Sequence, residues 1–349
     1  MLFRSYSGIP EKQRTDYDLE SLKLFDHKLV EMPPEKKIAL AKEVEKIALE
    51  NKQITKSSGS SFGSNIGTHY IVNSNGIANS FPSTSVSLGV SLQSGAGDNM
   101  TEDYYYNSSR SLAGLKTPEE IAKKAAGKVV RMLGAKKIPT QNVPIVFERE
   151  MTSYLLGFLA QCISGGAVYM KQSFLADKHG AKIAGSNVTI LDNPLIPGLL
   201  GSRPFDGEGV CGKKNAIIDK GVLKSFLLDT YSAKKLNMTS TGNAGGTSNF
   251  YMENGSHSPE EIVKSLDKGL ILTRTIGQGT VATTGDISVG AFGLWVENGE
   301  IVHPVHEVTI STNLGKVLGE IEMIGNDLTF DRSIAAPMTK VKEISISGT

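Results

Sequence analysis

The sequence predicts an α+β protein, with an N-terminal helix-and-sheet domain to about residue 140 followed by a β-rich C-terminal domain. Three observations carry this expectation. Apolar spacing changes from a helical to a two-residue period near Gln53. Hairpin patterns recur in the second half, around Asp219-Lys220-Gly221 and around Asn298-Gly299. Glycine is frequent, at 37 of 349 residues, which favours many tight turns.

Taken in order, residues 16–50 read as helical. Asp18-Leu19-Glu20 leads into Leu22, Leu24, Phe25 and Leu29, and Pro33-Pro34 breaks the run. A second helix then carries Ile38, Leu40, Ala41, Val44, Ile47 and Ala48 at helical spacing. Between Gln53 and Tyr106 the alternation of Val86, Leu88, Val90 and Leu92 predicts a half-buried strand, and Ser74-Asn75-Gly76 marks a hairpin turn before it. Thr117-Pro118-Glu119-Glu120 is a capping box with Pro in the first turn; it opens a helix that Gly134 closes. Lys136 to Val143, with Pro139 inside, reads as a domain boundary. A strand from Val143 to Phe147 and a helix from Glu148 to Ser164 follow, and then mostly strands. Ser258-Pro259-Glu260-Glu261 repeats the capping box before Ile262, Val263 and Leu266.

Composition excludes several functions. Lys and Arg number 37 against 36 Asp and Glu, so the net charge of +1 gives no argument for nucleic acid, an anionic membrane or an acidic ligand. Cys162 and Cys211 cannot build a disulfide framework and fit a reducing compartment. No apolar run reaches membrane-spanning length, and the first residues lack the apolar stretch of a signal peptide. The expectation is a cytoplasmic chain without membrane contact.

Single motifs are weak. Gly207-Glu208-Gly209-Val210-Cys211-Gly212 fits the dinucleotide fingerprint, but a charged loop precedes it and a strand pattern follows, the wrong order for nucleotide binding. Gly59-Ser60-Ser61-Phe62-Gly63 fits a nucleophile elbow without the helix it needs, and reads as a loop or strand edge. His303 and His306 lie in a strand pattern that points their rings to opposite faces. Tyr104-Tyr105-Tyr106 reads as an alternating strand, and the Lys136-Lys137 and Lys234-Lys235 pairs as solvated helix ends. Neither H-E-x-x-H nor a zinc-spaced cysteine pair occurs.

The densest stretch runs from Gly201 to Gly246. In Ser202-Arg203-Pro204-Phe205-Asp206-Gly207-Glu208-Gly209, Pro and Gly restrict the backbone while three charges stay close together. That is the profile of a site-forming loop; a buried turn with an internal ion pair would give the same pattern.

This block, with Ser173-Phe174-Leu175-Ala176-Asp177-Lys178, Asn193-Pro194, Gly221-Val222-Leu223, Thr241-Gly242-Asn243-Ala244-Gly245-Gly246, Gly285-Asp286-Ile287-Ser288-Val289-Gly290 and Val296-Glu297-Asn298-Gly299, closely resembles the PmbA/TldD family, some of whose members are described as modulators of DNA gyrase. The resemblance implies a remnant of the family's first domain at 1–34, a middle α+β domain at 35–140 and a C-terminal domain at 141–349. TldD-type members carry H-E-x-x-x-H on a helix and a later Cys that together hold zinc. The matching helix here reads Leu155-Leu156-Gly157-Phe158-Leu159-Ala160-Gln161-Cys162, and the place of the Cys reads Ile324-Gly325-Asn326-Asp327.

The resemblance therefore implies the PmbA, or TldE, branch: a non-catalytic subunit with no metal of its own. Zinc is then expected in a TldD-type partner, in a cytosolic peptidase acting on short or unfolded peptides. The partner is that TldD-type subunit or a second copy of the chain, with no direct contact to nucleic acid. Arg203, Asp206, Glu208, Thr241 and Asn243 are the expected substrate-binding residues, shaping the wall of a peptide chamber. Two alternatives stay open: an independent hydrolase using Asp206 and Glu208 as acids with Arg203 orienting a peptide carboxylate, and a peptide- or gyrase-binding module without chemistry.

Overall fold

The computed structural model describes residues 9–11 and 18–348, apart from the side chain of Asp98. Of the helix expected over 16–50, residues 16 and 17 lie outside the described residues, and the first half differs from the expectation. Only one turn, α1 (His27–Val30), is helical before Pro33. Leu22 lies instead in a turn closed by the Lys23 amide donating to the Glu20 carbonyl at 3.1 Å, and Leu24 follows it. Both are buried against Phe81 and Phe205, and the Thr84 amide donates to the Leu24 carbonyl at 2.9 Å. Tertiary packing overrides the local spacing there. The second helix, α2 (Pro34–Leu49), forms as its spacing predicts, with Pro34 in the first turn where no backbone donor is lost.

A long hairpin follows, β1 (Ile54–Val72) and β2 (Ala78–Ser94), and β2 also pairs antiparallel with β3 (Thr101–Ser109). The hairpin turns at Asn73–Gly76, where the expected Asn-Gly signal lies. Leu88, Val90 and Leu92 turn inward against Val44 and Ala48 of α2 and Ile121, Ala125 and Val129 of α3 (Pro118–Val130). In α3 the capping box is complete: Thr117 Oγ1 accepts the Glu120 amide, and Glu120 Oε2 accepts the Thr117 amide at 2.8 Å. The Gly59–Gly63 stretch lies inside β1, on a strand edge, and Tyr104–Tyr106 lie in β3.

The second half opens with β4 (Gln141–Phe147), α4 (Arg149–Cys162) and α5 (Gly165–Tyr169). A small sheet is built from β5 (Ile190–Asp192), β6 (Asn215–Asp219) and β7 (Val222–Leu223). After α6 (Thr230–Lys235), that sheet is extended by β8 (Phe250–Met252). Then come α7 (Pro259–Lys264), β9 (Lys268–Ile276), β10 (Thr280–Val281), β11 (Asp286–Glu297), β12 (Glu300–Asn313) and α8 (Leu314–Gly319). The chain finishes with β13 (Ile321–Ile324), β14 (Ile334–Ala335) and β15 (Thr339–Ser347). Both expected hairpins, β6–β7 and β11–β12, are paired.

Strand pairing runs β11–β12–β15–β4–β9 and returns from β9 to β11, a closed ring. Its strands are apolar on both faces: Leu270 and Leu272 enter the main core, while Ile271 faces a smaller cluster under α7. Continuous apolar runs such as Leu270-Ile271-Leu272 follow from burial on both sides. The main core also takes Leu155, Leu156, Phe158 and Leu159 of α4.

The Lys136-Lys137 pair is not a helix end, contrary to expectation. Lys136 bridges to Val305 of β12, and Lys137 pairs with Glu307 at 2.6 Å. Glu307 sits at a left-handed φ of 52°, and strand-to-strand contact at this irregularity draws the connecting segment into the sheet.

Candidate functional site

The Gly201–Gly246 block folds into a polar knot between the two halves of the chain. Asp206 is 3 % exposed. Its Oδ1 accepts the amides of Glu208 and Val210, and its Oδ2 accepts the amide of Ala244, all at 2.9 Å. A short carboxylate that bonds its own following backbone makes a tight turn. Gly209 completes the turn at φ +85°, where a Cβ would stand 2.9 Å from Ile77 Cγ2. Glu208 Oε2 accepts the Thr230 amide at 2.8 Å and so satisfies an orphan donor at the start of α6. Asp206, Gly209 and Val210 are buried while Gly207 is exposed, and both acids of the turn accept backbone N–H groups.

Thr241 Oγ1 accepts the Leu228 amide and donates to Asn243 Oδ1, both at 2.7 Å. Asn243 Nδ2 donates in turn to Asp192 Oδ2 at 2.7 Å, and the Ser248 amide donates to Asp192 Oδ1 at 2.7 Å. Burial pushes the Asp192 carboxyl above its ordinary range, against those bonds and the Arg203 charge, which favour the anion. Arg203 Nη2 donates to the Gly246 carbonyl at 2.8 Å. Burial draws the Arg203 guanidinium down, opposed by Asp192 and Asp206.

Two cavities flank this knot. One, of about 460 Å³, is lined by Arg203 and Asp206 together with Arg110, His69 and Phe81 from the first half. The other, of about 360 Å³, is lined by Asn243 with Gln161 and Ser164 at the end of α4, and Asp229 and Ser232 of the α6 segment. Thr247 lines both, so the loop after Asn243 is the wall between them. Glu208 and Thr241 lie on neither wall and brace the loops from behind.

Three residues of this arrangement escaped the sequence reading. Arg110 reaches across the halves to the carbonyls of Leu199, Leu200 and Ser202, at 3.2, 2.6 and 3.1 Å. Nothing in its local sequence signals this. Asp192 directly precedes the Asn193-Pro194 motif, and Asn249 follows the small-residue loop, so both adjoin visible signals. Asn249 is fully buried; it accepts the Gly201 amide and donates to Asn193 O and Ser202 Oγ.

The donor set does not fit a zinc ion. On α4, Leu156 and Leu159 are buried in the main core, and Ala160 and Gln161 line the cavity. Cys162 is fully buried, and burial pushes its thiol up to about 12, away from the thiolate a metal requires. Asp327 is held by the Met338 amide at 2.9 Å and lies 3.7 Å from Arg149. Among the described residues, no group of three or more His, Cys, Asp or Glu side chains could hold a metal ion.

Comparison with known proteins agrees with this architecture. A model of the PmbA/TldA metallopeptidase central domain matches residues 27–133, and one of the PmbA/TldA metallopeptidase C-terminal domain matches residues 140–348. The chain belongs to the PmbA/TldD metallopeptidase family. Metalloprotease PmbA of Escherichia coli O157:H7 is 37% identical over 343 residues, covering 98% of this chain and 76% of that protein. A crystal structure from Bacteroides thetaiotaomicron, described as a candidate modulator of DNA gyrase, superposes with a TM-score of 0.90 at 32% identity, over 97% of this chain and 76% of that one. TldE from Thermococcus kodakarensis shares the fold, with a TM-score of 0.86 at 23% identity over 98% and 80% of the two chains. Among the described residues no helix is long and apolar enough to cross a membrane.

Proposed function

We propose that this chain is the PmbA (TldE)-type subunit of a cytoplasmic zinc peptidase, and that a TldD-type partner supplies the metal and the hydrolytic chemistry. The observation that carries the reading is the cavity at the end of α4, where Gln161, Ser164, Asp229, Ser232 and Asn243 stand without a histidine. Amides and hydroxyls bind a peptide backbone by hydrogen bonds but do not replace imidazole and thiolate as zinc donors. The one carboxylate, Asp229, already accepts the Ser232 amide and hydroxyl, each at 2.6 Å. In this account Arg203, Asp206, Glu208, Thr241 and Asn243 shape a peptide chamber. Arg203 and Asp206 line one of the two cavities and Asn243 the other, and Glu208 and Thr241 hold the loops between them in place.

The test is co-expression with a TldD-type chain. The account expects a stable complex that cleaves unfolded peptides, and no cleavage by this chain alone. Peptide cleavage by the purified chain alone would count against it. The description of the Bacteroides relative motivates a second reading, a gyrase-binding module without chemistry. Recovery of gyrase instead of a TldD-type chain from the same cells would favour that reading.

A further inference from the structure

The chain holds a larger cavity away from the knot, where β3 and α3 meet β9. A space of about 530 Å³ has Met100, Met132, Ile276 and Phe292 on its walls, and it adjoins one of about 400 Å³ bounded by Tyr154 and Arg332. The two share Tyr104, Lys128 and Arg274, so they form one trough, with the apolar side chains of Met100, Met132 and Ile276 at one end and Glu150 and Arg332 at the other.

Charges in this trough are unevenly matched. Lys128 lies 2.9 Å from Glu150 and 3.6 Å from Asp103, so both acids already have a cation. The Glu102 carboxylate accepts a bond from Ser58 Oγ at 3.0 Å. Arg274 is held differently. Its guanidinium lies 4.2 Å from the ring centroid of Phe292, its cross-strand neighbour, and Nη1 donates to the Glu102 carbonyl at 2.7 Å. Arg332 lies 5.0 Å over the ring of Tyr106. Two arginines thus line one cavity, each set against an aromatic ring; among the described residues no carboxylate lies within ion-pair distance of either, although the Arg332 charge also acts on Glu150. A guanidinium oriented this way keeps its remaining N–H donors for a planar anion.

We propose that this trough binds the C-terminal carboxylate of a peptide, with Arg274 and Arg332 as its donors and the apolar end taking the neighbouring side chains. The inference rests on the peptide reading above and names which end of the peptide is held. The probe is a fluorescently labelled, unstructured peptide ending in leucine, prepared with a free carboxylate and as the amide. Free acid should bind the intact chain about tenfold more tightly than the amide, the scale of one charge-assisted pair. Arg274→Gln and Arg332→Gln should each remove that preference while the melting curve stays that of the folded chain. Because Arg274 also bridges β9 to β3, Arg332→Gln serves as the test free of that bridge.

Equal binding of acid and amide, absence of binding by either, or an unchanged preference in the Arg332→Gln variant would overturn the inference. Assembly with a TldD-type chain is read separately by co-purification. Acid preference without assembly would leave this inference standing and count against the proposed function alone.

Discussion

Asp206 Oδ2 accepts the Ala244 amide at 2.9 Å, and this bond, with the Gly207 amide donating to the Ala244 carbonyl at 3.0 Å, ties the charged turn to the small-residue loop that divides two cavities. The same carboxylate holds the amides of Glu208 and Val210. Asp206→Ala leaves three backbone donors without their acceptor. Each buried donor left unpaired costs on the order of 1–3 kcal/mol, partly recovered by water in the adjoining cavity, so the variant should lose about 3 kcal/mol of stability. Urea unfolding measures this. A loss below about 0.5 kcal/mol, the scale of a neutral surface change, would remove Asp206 from the structural role described here.

The two halves are joined at the same place by an aromatic pair. Phe81 and Phe205 meet edge to face, with centroids 5.1 Å apart and planes at 77°. A double-mutant cycle with Phe81→Leu and Phe205→Leu should give a coupling of about 1 kcal/mol beyond area burial. Additive effects would mean that the halves are joined elsewhere, for instance through Arg110.

Acid should loosen the contact between α3 and α4. Burial pushes the Glu150 carboxyl up, but the Lys128 ammonium at 2.9 Å, together with the Arg332 and Lys124 charges, holds the group below its ordinary 4.5. Asp331 is likewise raised by burial, and Lys116 at 3.2 Å brings it below 3.8. A carboxyl depressed in the folded state contributes stability that is present above its unfolded value and is lost as pH falls through its folded one. Stability should therefore decline below about pH 4.5, and Lys128→Met should flatten that decline. Urea midpoints measured between about pH 3 and pH 6 decide it, and an unchanged slope in the variant would contradict the assignment.

The two thiols should differ sharply in reactivity. Cys162 is fully buried with its thiol pushed up to about 12, whereas Cys211 is half-buried. Ellman's reagent at about pH 8 should modify Cys211 first and reach Cys162 only on unfolding, since the thiolate is the reactive form. Simultaneous modification in the native state would show that the α4 core opens readily.

Much of this architecture was legible because its signals are local. The capping boxes at Thr117 and Ser258 and the turns at Asn75-Gly76 and Asn298-Gly299 each encode their geometry within four residues. The non-helical course of Leu22 and Leu24 was not legible. Their burial depends on Phe81 and Phe205, far away in the chain, and helical spacing says nothing about such partners. The candidate site divides in the same way. Asp206 and Asn243 stand in visible motifs, but Arg110 acts on carbonyls some ninety residues away, and no spacing rule reaches that far.

The central claim, that this chain serves a zinc peptidase without holding the metal, is tested most directly by zinc content. The chain should be purified alone and in complex with a TldD-type subunit, dialysed, and weighed by native mass spectrometry. The account predicts a metal-free chain alone and one zinc per heterodimer, retained by the partner when the subunits are separated. Stoichiometric zinc on the isolated chain, surviving dialysis, would contradict it.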